Sequence, residues 1–160
     1  VIFPDSGSRY LSKFYDDKWM REFGFLSMEF GETSLADLLL AKPNKVLHVA
    51  KLGDSMREVV GVMHQHAISQ MPVVGQSDEL VGLLEEVDLL NHMLEAHDHS
   101  NEELIDDLVQ NAGAVFPSET ALEETMPSLT AGYALLVVES SKPVGILTKI
   151  DVLDYVAGKI

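Results

Sequence analysis

Apolar and polar positions along this chain switch between a short strand-like period and a helical one, and the switches mark the elements. Residues 144–147 are an apolar strand that runs into a helix starting near Thr148. Residues 70–75 and 80–84 read as two strands joined by the turn Q-S-D-E at 76–79, and 133–138 with 143–147 as a second hairpin around E-S-S-K. Short strands are predicted at 46–49 and 114–116. Ser34 is an N-cap for a short helix to Ala41, with Pro43 as its stop. Ser55 and Glu58 form a capping box that opens a helix to about His66, with Met56, Val59, Val60 and Met63 at helical spacing. Further helices are predicted at 87–95, 102–110 and 119–129, the last kinked or shortened by Pro127. The polar run H-D-H-S-N at 97–101 separates two series of strand, helix, strand, strand, helix.

The two series share their text. V-G-L-L-E-E-V-D-L-L at 81–90 matches V-G-I-L-T-K-I-D-V-L at 144–153 at a constant offset of 63, which pairs Gly82 with Gly145 and Asp88 with Asp151. The same offset pairs 72–74 with 135–137 and Ser55 with Ser118. A repeated supersecondary unit outranks any single motif in deciding the fold, so two copies of one α+β unit are expected.

Ahead of the repeats, residues 1–3 read as a strand, 5–8 as a turn leading into a helix, and 10–21 as a helix carrying Tyr10, Phe14 and Trp19. The chain begins in an apolar run without an initiating Met, and is expected to be part of a longer protein. Residues 26–33 read as a linker.

Composition narrows the class. Of 160 residues, 46% are hydrophobic and 23% charged, an ordinary balance for a globular chain. No apolar run approaches the roughly 18 residues of a membrane span, nothing resembles a signal peptide, and there is no cysteine. A cytoplasmic location is the default expectation. Lys and Arg total 11 against 26 Asp and Glu, for a formal net charge of −15. That charge argues against nucleic acid and against anionic membrane surfaces as partners.

Candidate chemistry centres on Thr148 and Asp151. The pair has the spacing of a capping box. It also sits where a strand end meets a helix N-terminus, and a carboxylate there can accept two hydrogen bonds from a ribose diol. His64 and His66 diverge by roughly 200° on a helix, and His92, His97 and His99 flank the inter-repeat turn, so solvated histidines are expected rather than a metal site. No catalytic motif is present: there is no G-x-S-x-G elbow, no phosphate-binding Walker loop and no cysteine nucleophile. Glu85, Glu86 and Asp88 lack a nucleophile or an orienting partner.

The repeated G-h-h-T-x-x-D after a strand, each copy behind a "x-P-V-V"-like strand, resembles a tandem pair of CBS domains (a Bateman module) over roughly residues 33–160. The resemblance implies two β-α-β-β-α repeats packed as a pseudo-twofold pair, with divisions at 1–32, 33–98 and 99–160. It implies two clefts for an adenosyl compound, each built on one repeat's motif and the other repeat's wall. Carried over by position, one cleft takes Thr148 and Asp151 with Leu47, His48, Ile68, Ser69 and Met71. The other takes Glu85 and Asp88 with Val115, Ala131, Tyr133 and Ala134. Glu85 stands where the pattern asks for threonine, so this second cleft is expected to bind more weakly.

The N-terminal stretch P-D-S-G-S-R-Y-L-S-K-F resembles the end of the catalytic domain in pyridoxal-phosphate enzymes of the cystathionine β-synthase family. That resemblance places Ser6 where a serine bonds the cofactor's pyridine nitrogen. The Schiff-base lysine and phosphate loop are not in this sequence, so Ser6 is a cofactor remnant. No cofactor and no catalysis are expected of this chain itself. The partners implied are an adenosyl small molecule, a parent catalytic domain and a second copy in a homodimer. The loops before the two "P-V-V" positions, 68–71 and 131–134, contain no cation, which favours cationic S-adenosylmethionine over AMP or ATP. An AMP/ATP sensor, or a ligand-free pair serving subunit assembly, are the alternatives.

Overall fold

The structure is a computed structural model that describes residues 33–95 and 103–158. Ser6, the strand and helix expected before residue 33, and the turn at 97–101 lie outside the described residues. The elements in chain order are α1 (Leu35–Ala41), β1 (Ala50–Lys51), α2 (Met56–His66), β2 (Gln70–Val74), β3 (Leu80–Glu85) and α3 (Glu86–Glu95). A 3-10 turn at Asp106–Leu108 follows, then β4 (Val115–Pro117), α4 (Leu122–Ala131), β5 (Leu135–Glu139), β6 (Lys142–Leu147) and α5 (Lys149–Ala157). Two three-stranded sheets result, ordered β1-β2-β3 and β4-β5-β6. In each, the first pair is parallel and spans a helix, and the second is an antiparallel hairpin.

Local signals account for most of these elements. Ser34 and Ser55 cap α1 and α2 in reciprocal boxes with Asp37 and Glu58. The second hairpin turns through Ser140 and Ser141, both at positive φ (48° and 67°), the twist a two-residue turn needs to join right-handed strands. Leu80 N–H donates to Ser141 O at 2.8 Å, so the tip of this turn meets the start of β3 in the other repeat.

Each sheet carries its own core, but neither core is closed by its own repeat. Leu35 and Leu38 of α1, which opens the first repeat, are buried with Leu122, Leu135, Leu147 and Val152 of the second. Ile105, near the start of the second repeat, is fully buried among Ala50, Val59, Met71 and Leu84 of the first. Backbone bonds fix both exchanges: Leu35 N–H to Thr120 O and Ala36 N–H to Ser118 O on one side, Met56 N–H to Glu103 O and Ile105 N–H to Asp54 O on the other.

Three sequence expectations are corrected, two of them by these exchanges. Residues 102–110 do not form a helix over their described part. Their backbone is taken by bridges Ser55–Leu104 and Leu83–Gln110, which leaves only the 3-10 turn. Helix α4 starts at Leu122 rather than 119, because 118–121 bonds to the first turn of α1 and to its cap, including a bridge from Ser34 to Ala121. It then continues past Pro127 to Ala131. The first strand is at Ala50–Lys51, not 46–49. Asn44 Oδ1 accepts from Val46 N–H at 3.1 Å, a local turn, and the ladder with β2 starts only where Ala50 faces Val73.

The constant offset also breaks down upstream of the motifs. Val73 faces Gly82 and Val137 faces Gly145, so Pro72-Val-Val74 corresponds to Leu136-Val-Val138, one residue later than the text alignment. The caps Ser55 and Ala121 correspond, not Ser55 and Ser118. The tighter second hairpin turn accounts for the slip in the strands.

Candidate functional site

The residue on which the sequence reading turns, Asp151, sits in the first turn of α5 immediately after β6. Its Oδ2 accepts from both the N–H and the Oγ1 of Thr148, each at 2.7 Å. Thr148 is therefore the N-cap of α5 and at the same time fixes the rotamer of the carboxylate.

A third group converges there. Lys42 Nζ lies 3.1 Å from Oδ1 and 3.1 Å from Oδ2 of Asp151, and donates to Ile146 O at 3.0 Å. The Lys42 and Asp151 side chains are only 22% and 14% exposed, so the pair is largely shielded from solvent screening. The aim of Lys42 follows from packing: it is the C-cap of α1, its N–H donates to Leu38 O, and Leu35 and Leu38 seat that helix in the second core. A groove of about 220 Å³ opens beside it, lined by Lys42, Lys45, Leu47 and the β6 backbone around Gly145.

Of the wall residues expected for this cleft, Leu47 lines that groove. The others are placed differently. His48 stacks on His66 at the end of α2, with ring centroids 3.8 Å apart and planes 26° from parallel. Ile68 and Ser69 line a larger, mainly apolar groove of about 800 Å³ between α2 and α3, with Val60, Leu90 and Met93. Met71 is buried in the first core.

The other motif is more enclosed. A cavity of about 140 Å³ gathers Glu85 and Asp88 of the first repeat with Tyr133 and Ala134 of the second, closed by the chain from Gln110 to Gly113. Four of the six residues expected for that cleft thus share one cavity. Val115 lines a different one with Leu80 and Val138, and Ala131 is exposed at the end of α4. Asp88 Oδ2 accepts from Glu85 N–H at 3.3 Å, as Asp151 does from Thr148, while Glu85 Oε1 accepts from Gln70 Nε2 at 3.2 Å. Among the described residues no Lys or Arg pairs with either carboxylate.

The two sites differ most at one carbonyl. Leu83 O accepts from Gln110 N–H at 2.9 Å, whereas the corresponding Ile146 O accepts from Lys42 Nζ. Backbone satisfies the first and a charged side chain the second. Sequence reasoning missed Lys42 because the contact joins residues 109 apart and no local pattern announces it. Gln110–Gly113 escapes it because that stretch reads as the end of a helix and the loop after it.

Among the described residues no helix is long and apolar enough to cross a membrane. The chain is 30% identical over 101 residues to mouse (Mus musculus) cystathionine beta-synthase, a match that takes in 59% of this chain and 17% of that protein, so it corresponds to a small part of the relative's length. The crystal structure of CBSX2 in complex with AMP superposes with a TM-score of 0.65 at 25% identity, covering 79% of this chain and 97% of that one. The CBS domain pair of MJ0100, crystallised with 5′-methylthioadenosine and S-adenosyl-L-methionine, has the same fold at a TM-score of 0.65 and 20% identity, covering 80% and 98%. Residues 35–95 and 105–158 each match the CBS domain model, and the chain belongs to the CBS-domain family, with two such domains in tandem.

Proposed function

We propose that this chain is a regulatory module that binds an adenosyl compound, S-adenosylmethionine by preference, at Thr148 and Asp151. In this reading it modulates a pyridoxal-phosphate enzyme of the cystathionine β-synthase type and has no catalysis of its own. The observation that carries the reading is the placement of Asp151 and Asp88. Each carboxylate stands at a strand-to-helix junction and accepts from the backbone N–H three residues before it; Asp88 lines a cavity, and Lys42, which pairs with Asp151, lines a groove. That position suits a ribose diol. The relatives support the ligand class: CBSX2 was crystallised with AMP and the MJ0100 pair with S-adenosyl-L-methionine.

The preference for S-adenosylmethionine rests on charge. A chain of net charge −15 concentrates cations and disfavours polyanions. One observation favours the second reading, an AMP/ATP sensor: Lys42 and Lys45 both line the groove beside Asp151, where a phosphate could meet them. A thermal-shift screen with adenosine, AMP, ATP and S-adenosylmethionine, followed by competition at low and physiological salt, decides between them. A ligand at about 100 times its dissociation constant stabilises by about 2.7 kcal/mol. Displacement of S-adenosylmethionine by an equal concentration of AMP or ATP would favour the phosphate reading. No shift with any of the four would leave the assembly role.

The proposed module is a homodimer. The apolar groove between α2 and α3, with Val60, Val87, Leu90 and Met93 exposed on it, is the face suited to a second copy. Light scattering on the purified chain tests this, and a monomer at all concentrations would refute it.

A further inference from the structure

We propose that Lys42 is an internal competitor for the ligand, and that ribose and the Lys42 ammonium take turns on Asp151. The proposal deepens the adenosyl reading above and rests on it. A carboxylate has about four acceptor positions. At Asp151 the N–H and hydroxyl of Thr148 both reach Oδ2, and Lys42 Nζ contacts Oδ2 and Oδ1 together. Few positions remain for the two hydroxyls of a ribose. Asp88, in the equivalent place, receives a single backbone bond and has no cation among the described residues, so the competition belongs to one cleft only.

Space points the same way. The groove beside Lys42 is about 220 Å³, below the roughly 300–1,000 Å³ usual for small-molecule sites. Lys42 is itself a wall of it, so withdrawing the side chain both enlarges the groove and uncovers Asp151. Lys42 sits at the end of α1, whose other face is seated in the second core, so the swing needs the flexible lysine stem and not the helix. The ammonium also satisfies Ile146 O. Giving up both partners sets a threshold that a ligand must exceed, and makes occupancy of this cleft steeper in ligand affinity than its shape alone would require.

Lys42→Met tests this, since it keeps the length of the stem and removes the charge. The probe is adenosine, which is neutral and so has no direct charge interaction with Lys42. Calorimetry on the full chain should show tighter adenosine binding in Lys42→Met, by about fivefold or more for loss of a partly buried pair. Lys42→Gln, which can still donate to Ile146 O, should also tighten binding and covers the case in which the methionine variant fails to fold. Unchanged affinity in a folded variant would overturn the proposal and leave Lys42 as a cap for Ile146 O. Weaker binding would overturn it by making Lys42 a ligand contact. If neither the parent protein nor a folded variant binds adenosine, AMP or S-adenosylmethionine, the adenosyl reading fails and the competition with it.

Discussion

At the scale of single residues, Asp151 and Lys42 form a pair whose members should act in opposite directions. Removing the lysine uncovers the carboxylate, and removing the carboxylate takes away the group that would hold the ribose. Hydrogen bonds to a charged acceptor contribute roughly 1.5–3 kcal/mol each. Asp151→Ala is therefore expected to weaken adenosyl binding at least tenfold, since about 1.4 kcal/mol corresponds to a factor of ten. The same change removes the acceptor for Thr148 N–H, so a stability loss of about 0.5–2 kcal/mol is expected beside it. Calorimetry on folded variant separates the two effects, and full affinity there would reduce Asp151 to a capping residue. The motif glycines give a second comparison. A Cβ at Gly82 would run into the carbonyl of Gln110 and the side chain of Val109, while one at Gly145 would meet only the side chain of Leu39. Backbone cannot step aside as a leucine rotamer can. Gly82→Ala should cost about 1–3 kcal/mol, as for overpacked sites, and more than Gly145→Ala. Urea midpoints for the two variants measure the difference, and the reverse order would mean that the Leu83–Gln110 bridge yields easily.

At the scale of elements, what the sequence disclosed was local and what it concealed was an exchange. The Ser34 cap and the boxes Ser55 with Glu58 and Thr148 with Asp151 act within one turn, and all stand in the structure, where Asp37 completes a box with Ser34 as well. Both hairpins are local too: each joins two short strands through the polar turn that predicts it, and both form. The stretch 102–110 failed because its periodicity reports burial but not the partner. Ile105 is fully buried, yet against the first repeat's β1 and α2, and its neighbours give their backbone to bridges. Ligand-wall residues failed for a related reason. An apolar residue before a strand looks the same in sequence whether it lines a cleft, as Leu47 does, or a core, as Met71 does. The exchange has a direct test. Ile105→Ala should destabilise by about 2–5 kcal/mol, the range for a large-to-small change in a closed core, and should do so through the first core although Ile105 belongs to the second repeat in sequence. A loss below about 1 kcal/mol in denaturant unfolding would show that this segment does not close the first core.

At the scale of the whole molecule, a near-symmetric fold carries two unequal sites. The sheets, hairpins and exchanged lead-in segments repeat, but the groups around the two acidic residues do not. Asp151 is flanked by a hydroxyl and a cation, whereas Asp88 is flanked by Glu85 and Glu86, with no cation paired to Glu85 or Asp88 among the described residues. The Glu85 cleft is also the smaller, at about 140 Å³, with the Tyr133 ring packed close to Gly113. Like charges attract no phosphate: two unit charges about 4 Å apart interact by about 4 kcal/mol at the effective dielectric of a protein surface. AMP should therefore bind this cleft more weakly than the Thr148 cleft, or not at all. Glu85→Thr restores the hydroxyl of the complete motif and removes one charge. It should raise AMP affinity at the second cleft, and raise it more than adenosine affinity, because only AMP carries the phosphate that Glu85 repels. A titration of the parent protein that fits two equal AMP sites would refute the asymmetry. Equal gains for adenosine and AMP in Glu85→Thr would assign the effect to the hydroxyl and space gained, and not to charge.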